Sequence, residues 1–302
     1  MSARNLIRAL GVLAGLLVAW GAVVMFRGSF SDSGTGLALP PISAAEVDGI
    51  EIVATAETLR FARSGAAWTV NGAAADAEQV RKLVAALADS AVTSELVARN
   101  PVSHARLGVD SAGRRLVVRK GGDMLLHLVI GSPGGGFLSV YARQADADDV
   151  YQVRGSLGGM VGHDAASWRD RRIAALVADS VGRISIRHGA VETVLARAGD
   201  AWMVGDAPAD SGAVRRLLGA LADITAIGFA SPAEADSLDF EKPDRRLTVF
   251  GRGADTLLDL LVDSTQAGFR ARAAPRPDVF QLDFWRVNEL TPPAATLRAS
   301  GS

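Results

Sequence analysis

The chain from Trp68 to Asp89 reads WTVNGAAADAEQVRKLVAALAD, and from Trp202 to Asp223 it reads WMVGDAPADSGAVRRLLGALAD. The second stretch lies 134 residues after the first with no gap, and 12 of the 22 positions are identical. Self-similarity at one fixed offset is the mark of a duplicated structural unit. Each stretch opens on a β-type run, passes a turn and enters a helix announced by an aspartate, Asp76 or Asp210. Gln79 stands three residues after Asp76, in the reciprocal position of a capping box. Val80, Leu83, Val84 and Leu87 then recur at helical spacing, and Val214, Leu217, Leu218 and Leu221 repeat that apolar face.

The flanks extend the repeat. Gly49 to Thr55, Thr58 to Arg63 and Ala67 to Asn71 are short β-type runs joined by turn residues such as Ser64-Gly65 and Asn71-Gly72. After the helix come a turn-rich connection, NPVSHARLGV from Asn100 to Val109, and four further strands, at Arg114 to Lys120, Met124 to Ile130, Phe137 to Arg143 and Val150 to Val153. The second copy echoes them at Arg245-Arg246-Leu247, Leu257 to Val262, Phe269 to Arg272 and Val279 to Leu282. Each copy reads as an α+β unit in which one helix lies across a curled, mostly antiparallel sheet. Matching Trp168-Arg169 with Trp285-Arg286 implies that the second copy lacks the Arg154 to Ser167 segment. The expected layout is an anchor at 1–27, a linker at 28–45, repeats at 46–175 and 176–290, and a tail at 291–302.

The 302 residues suit about two domains. Net charge is −1, with 32 basic and 33 acidic residues intermixed, which argues against a nucleic-acid surface, since that needs a basic stripe. The absence of cysteine excludes disulfides, thiolate nucleophiles and cysteine zinc sites.

Residues 6–26 are apolar apart from Arg8, long enough for one helical span of a bilayer. Arg4 and Arg8 precede this span and only Arg27 follows it closely, so the positive-inside rule puts the N-terminus in the cytoplasm and the bulk of the chain in the periplasm of a bacterial inner membrane. A cleaved secretory signal is the alternative; Trp20 and the apolar run through Phe26 count against it. Gly11, Gly15 and Ala19 recur every four residues and form a candidate helix-packing interface, a pattern that ordinary glycine and alanine use in a membrane helix also produces. The Gly/Ser-rich linker, stiffened by Pro40-Pro41, would hold the first unit off the membrane by roughly 20–25 Å.

No reaction centre is legible. His104, His127, His163 and His188 form no metal-ligand spacing, and no cofactor is expected. His163-Asp164 is the best local pair. The glycines of Gly131 to Gly136 join two strands with no P-loop lysine after them, so they read as a hairpin loop. Trp168, Arg169, Arg171 and Arg172, with His163 nearby, form a candidate protein interface, because an aromatic among arginines is a common interface composition; an ion-pair cluster explains the same residues. Trp68 and Trp202 read as core residues packed on the helices.

The Trp-x-Val-Asn-Gly turn at Trp68 to Gly72, the Asp-capped helix from Asp76, the Asn-Pro…Leu-Gly-Val segment from Asn100 to Val109, the strand at Val150 and the Trp-Arg-Asp at Trp168 together resemble the bacterial domain-of-unknown-function family numbered 4340. The resemblance covers about residues 46–290 and is clearer in the first copy. It implies a membrane-anchored protein facing the periplasm, of a kind often encoded beside ABC-type transporter components, and it carries no catalytic residues. Three functions remain open. One is a non-catalytic accessory or scaffold subunit of an inner-membrane complex, a transporter or an energy-transducing assembly. The second is a periplasmic binding module for a lipid, glycan or peptide, and the third is a hydrolase.

Overall fold

The computed structural model describes residues 36–37, 39–40, 42–253 and 255–299. The apolar segment at 6–26, with Gly11, Gly15 and Ala19, lies outside them. Among the described residues, no helix is long and apolar enough to cross a membrane. The chain divides into two compact units, Met1–Ala165 and Ala166–Ser302. Both are mostly antiparallel sheet with a few helices, an α+β architecture.

In the first unit, β1 (Gly49–Val53), β2 (Thr58–Ser64), β3 (Ala67–Val70) and β4 (Ala73–Ala75) step outward as a meander. Helix α1 (Ala77–Val92) follows, then β5 (Ser94–Ala98) and the short α2 (His104–Leu107). Strands β6 (Arg114–Lys120), β7 (Asp123–Pro133), β8 (Ser139–Gln144) and β9 (Val150–Arg154) form a second meander; α3 (Leu157–Val161) follows it, and α4 (Ala165–Trp168) begins at the boundary with the second unit. The sheet order is β4-β3-β2-β1-β6-β7-β8-β9-β5, with every pair antiparallel.

The second unit repeats this plan. A two-residue-wide ribbon pairs β10 (Arg172–Ala174) with β15 (Ile224–Thr225). The main sheet is built from β11 (Val181–His188), β12 (Val191–Ala198), β13 (Ala201–Val204), β14 (Ala207–Pro208), β16 (Gly228–Phe229), β17 (Arg245–Gly251), β18 (Thr256–Thr265), β19 (Gly268–Ala273) and β20 (Val279–Leu282). Its order, β14-β13-β12-β11-β17-β18-β19-β20-β16, matches the first sheet strand for strand. Helices α5 (Ser211–Leu221), α6 (Pro232–Asp236), α7 (Phe284–Leu290) and α8 (Ala294–Leu297) occupy the places of α1 to α4.

This order imposes a bend. Nine flat strands would put the edges about 38 Å apart. The chain leaves one edge at Ala75 and joins the other at Ser94 through a 16-residue helix, which reaches only about 24 Å. Asp76 and Thr93 add about 7 Å between them, so the sheet has to curl around the helix. The helix begins where the sequence indicates. The Asp76 carboxylate accepts from the N–H groups of Glu78 at 2.9 Å and Gln79 at 3.1 Å, and the Gln79 side chain returns to it at 3.2 Å. Asp210 accepts from the Ala213 N–H at 2.6 Å in the same role.

The core follows the strand period. Ile50 and Ile52 of β1 face Phe61 and Leu59 of β2 on one side and Val118 and Leu116 of β6 on the other, and all six are buried. Val80, Leu83, Val84 and Leu87 of α1 are buried too. Their counterparts Val214, Leu217 and Leu221 join one cluster with Ile184, Ile186, Leu247, Val249, Leu260 and Phe280, against which Leu218 and Trp202 pack half-buried.

Two boundary expectations change. The second copy does not lack the helical segment after its last strand: α7 and α8 stand where α3 and α4 do, so the counterpart of Trp168 in element order is Leu297, not Trp285. Trp168 and Leu297 are both fully buried, whereas Trp285 is 80% exposed. Residues 291–299 are also no loose tail, because Thr291 and Leu297 are buried and Arg298 bridges Ala209. At the other end, Leu37 of the linker is buried and donates its N–H to Ser94 Oγ at 2.6 Å.

Asp76→Ala and Asp210→Ala should each lower the unfolding free energy by about 1 kcal/mol, and glycine at the same positions by only a few tenths. Urea unfolding of the purified variants checks this.

Candidate functional site

The sheet face opposite each long helix is where the copies part. Asn100 to Val118 aligns without gaps on Ser231 to Val249. In the first unit, Asn100 caps a turn by accepting from Val102 N–H at 3.0 Å, and α2 ends at Gly108 with φ +67°. That left-handed residue turns the chain back, so that Val109 N–H reaches the His104 carbonyl at 2.9 Å. Leu107 and Val109 then pack on Val129 and Val150, with Tyr141 and Ala145 alongside, in a small second core.

Two glycines permit the close approach. A Cβ on Gly131 would collide with the Leu107 carbonyl oxygen and lie 2.7 Å from Val109 Cγ1, and one on Gly113 would lie 2.8 Å from the Gly108 oxygen. Arg143 fastens the segment down. Its Nε donates to the Val109 carbonyl at 2.8 Å, and its Nη1 to the carbonyls of Gln144, Ala145 and Ala147 at 3.0, 2.8 and 3.1 Å.

In the second unit each of these three glycines is an aspartate. Gly108, Gly113 and Gly131 correspond to Asp239, Asp244 and Asp263. Among the described residues with positive φ Asp239 does not appear, so the turn-back at Gly108 has no counterpart. Asp244 and Asp263 face each other across β17 and β18. The Ser264 hydroxyl and then its N–H (2.9 Å) hold Asp244 below the usual carboxylate range. Burial, and after it the Asp244 charge, push Asp263 up. Two carboxylates now stand where the first unit has glycines, and the segment meets the sheet through them: the Asp239 N–H donates to the Asp263 carboxylate, and Glu234 pairs with the buried Arg270.

The result is a cleft of about 770 Å³ lined by Leu238, Phe240, Leu261, Arg272, Pro275 and Arg276, with Asp239, Glu241 and Asp259 among its acids. Arg272 holds the register position of Arg143, opposite Leu261 as Arg143 is opposite Val129. It is exposed and, among the described residues, donates to no carbonyl; its guanidinium lies 5.8 Å from the Phe240 ring centroid. Asp259 is not free, because Arg246 grips both its oxygens, at 2.7 and 2.6 Å, and Thr248 Oγ1 adds a third bond at 3.2 Å.

The wall beside Arg272 is rigid. Arg276 binds the Asp278 carboxylate at 2.8 and 2.7 Å and donates to the carbonyls of Arg172 and Asp170 at 2.7 and 2.9 Å. Arg169 pairs with the same Asp278 and stacks 3.6 Å from the Phe229 ring centroid. The interface residues picked from the sequence therefore divide. Trp168 is fully buried, Arg169 is held in this ion-pair network, and Arg171, Arg172 and His163 are exposed. Arg172 also lies 3.6 Å from Asp223. The cleft itself was not found in the sequence, although its signal was there: three glycines exchanged for aspartates between aligned copies.

Among the described residues, no group of three or more His, Asp or Glu side chains is arranged to hold a metal ion. Trp202, unlike the buried Trp68, borders an apolar groove of about 610 Å³ with Val214, Leu218 and Pro208.

Fold and site thus define a duplicated α+β protein whose second unit carries a cleft of about 770 Å³ on this face, where the first has a smaller one of about 380 Å³ lined by Gly108, Gly113 and Gly131. The chain matches the family described as domain of unknown function DUF4340 over residues 68–243, and it belongs to that family. No curated protein and no solved structure matches it.

Gly131→Asp, which places the second copy's residue in the first, should destabilise the first unit by about 1–3 kcal/mol through overpacking. Asp263→Gly should cost less. Comparing urea-unfolding midpoints tests the pair.

Proposed function

We propose that this chain is a non-catalytic accessory subunit of a larger inner-membrane complex, anchored by one helix at residues 6–26 and exposing its two units to the periplasm for protein contacts. The observation that supports this most is the pattern of divergence. The two units keep one topology, and they differ on the sheet face opposite the long helix, where the second carries the wider cleft, about 770 against 380 Å³. Catalysis would call for a convergent acid–base or nucleophile set. The strongest local pair, His163 and Asp164, lies on an exposed connection between α3 and α4. The balanced net charge of −1 suits protein contacts more than nucleic acid.

A second reading is a periplasmic binding module for a lipid, glycan or peptide linked to an ABC-type transporter. The cleft favours it, since its volume falls in the range of small-ligand sites. Its mixed polar and apolar walls suit a peptide better than an acyl chain.

Affinity-tagged full-length protein, extracted from membranes in mild detergent, should co-purify with membrane partners in fixed stoichiometry. Migration as a lone monomer would contradict the accessory reading. A change in growth or envelope phenotype in a His163→Ala/Asp164→Ala double variant with normal complex assembly would reopen the hydrolase.

A further inference from the structure

The first copy shows what the wider cleft of the second is built to hold. In the first, Arg143 donates to main-chain carbonyls, among them that of Val109 on the segment laid over the sheet. In the second, the equivalent segment bonds to the sheet through the Asp239 N–H on Asp263, and among the described residues Arg272 donates to no carbonyl, but strand, register and guanidinium all persist. We propose that the cleft between Leu238–Glu241 and β18–β19 binds an extended peptide segment of a partner, whose main-chain carbonyl takes on Arg272 the place that the Val109 carbonyl takes on Arg143. This deepens the accessory-subunit reading by naming the chemistry of the contact.

Three features define the peptide. The guanidinium fork asks for a carbonyl or carboxylate oxygen. Phe240, Leu238, Leu261, Pro275 and Pro277 offer apolar walls to an aliphatic side chain. The rim decides the charge. Asp239 and Glu241 are exposed and form no ion pair among the described residues, and the Asp239 carboxylate only accepts the Glu241 N–H at 3.0 Å. Asp259 is already neutralised by Arg246, and Arg276 together with Arg169 by Asp278 and Asp170. Among the described residues that line the cleft, that leaves one available cation, Arg272, against two available carboxylates. An anionic ligand would meet net repulsion, whereas a peptide with a lysine or arginine beside an aliphatic residue satisfies both signs: its carbonyl on Arg272, its side-chain cation on Asp239 or Glu241. The rigid Arg276–Asp278–Arg169 wall keeps the entropic cost of ordering the site low.

The test uses full-length protein in detergent micelles and two fluorescent, N-acetylated, C-amidated peptides, AKLVKA and AELVEA, followed by anisotropy. The basic peptide should bind, and the acidic one should bind at least tenfold more weakly. Arg272→Ala should weaken the basic peptide roughly tenfold, the scale of one charge-assisted hydrogen bond. Asp239→Asn/Glu241→Gln should erase the preference between the two. Arg272 is exposed, so its thermal melt should match wild type and folding should not confuse the reading. Absence of binding by both peptides, preference for the acidic one, or equal affinity in Arg272→Ala would overturn the proposal. Such a failure with co-purification of membrane partners intact would sink the cleft assignment alone. Loss of co-purification with peptide binding retained would instead sink the accessory-subunit reading.

Discussion

A wide sheet has two faces, and one helix can cover only one of them. That constraint organises both units. The crossing from β4 to β5 is too short for a flat sheet, so the sheet curls around α1 and buries Ile50, Ile52, Leu116 and Leu128 against it. The opposite face is left with aliphatic side chains such as Val129 and Leu261 that need another cover. The turn-rich segment before β6 or β17 supplies it, and on this face the copies differ in how that segment is held.

Closeness is a matter of volume and backbone geometry more than of attraction. In the first unit Gly108 reverses the chain, Gly113 and Gly131 leave room, and Arg143 converts contact into a set of hydrogen bonds to carbonyls that would otherwise be buried without partners. In the second unit three carboxylates occupy those positions. A carboxylate cannot be pressed under a main-chain carbonyl without losing its hydration; Asp263 instead accepts from the Asp239 N–H, and Arg272 is left exposed. A surface with an uncovered guanidinium, two available carboxylates and proline-rich walls is suited to recognition.

Much of the fold was legible because periodicity and punctuation are local. The caps at Asp76 and Asp210, the apolar helix faces and the strands from Arg114 to Lys120 and from Val279 to Leu282 stand where the pattern puts them. The edge strands β5 and β16 were not visible. Ser94–Ala98 and Gly228–Phe229 are short and lack alternation, and only pairing with β9 and β20 makes them strands. The helical segment of the second copy was misread because Trp285-Arg286 looks like Trp168-Arg169, although one tryptophan is buried and the other exposed. The cleft escaped notice because it depends on comparing small residues in one copy with charged residues in the other. A search for reactive groups passes over glycines, and the informative change here was their loss.

The central claim is that the same segment is held more closely in the first unit than in the second. Amide hydrogen exchange followed by mass spectrometry reads this directly on the intact chain. Residues 104–110, with Val109 N–H bonded to the His104 carbonyl, should exchange at least tenfold more slowly than residues 235–241. Equal protection of the two segments, or slower exchange in 235–241, would contradict the account.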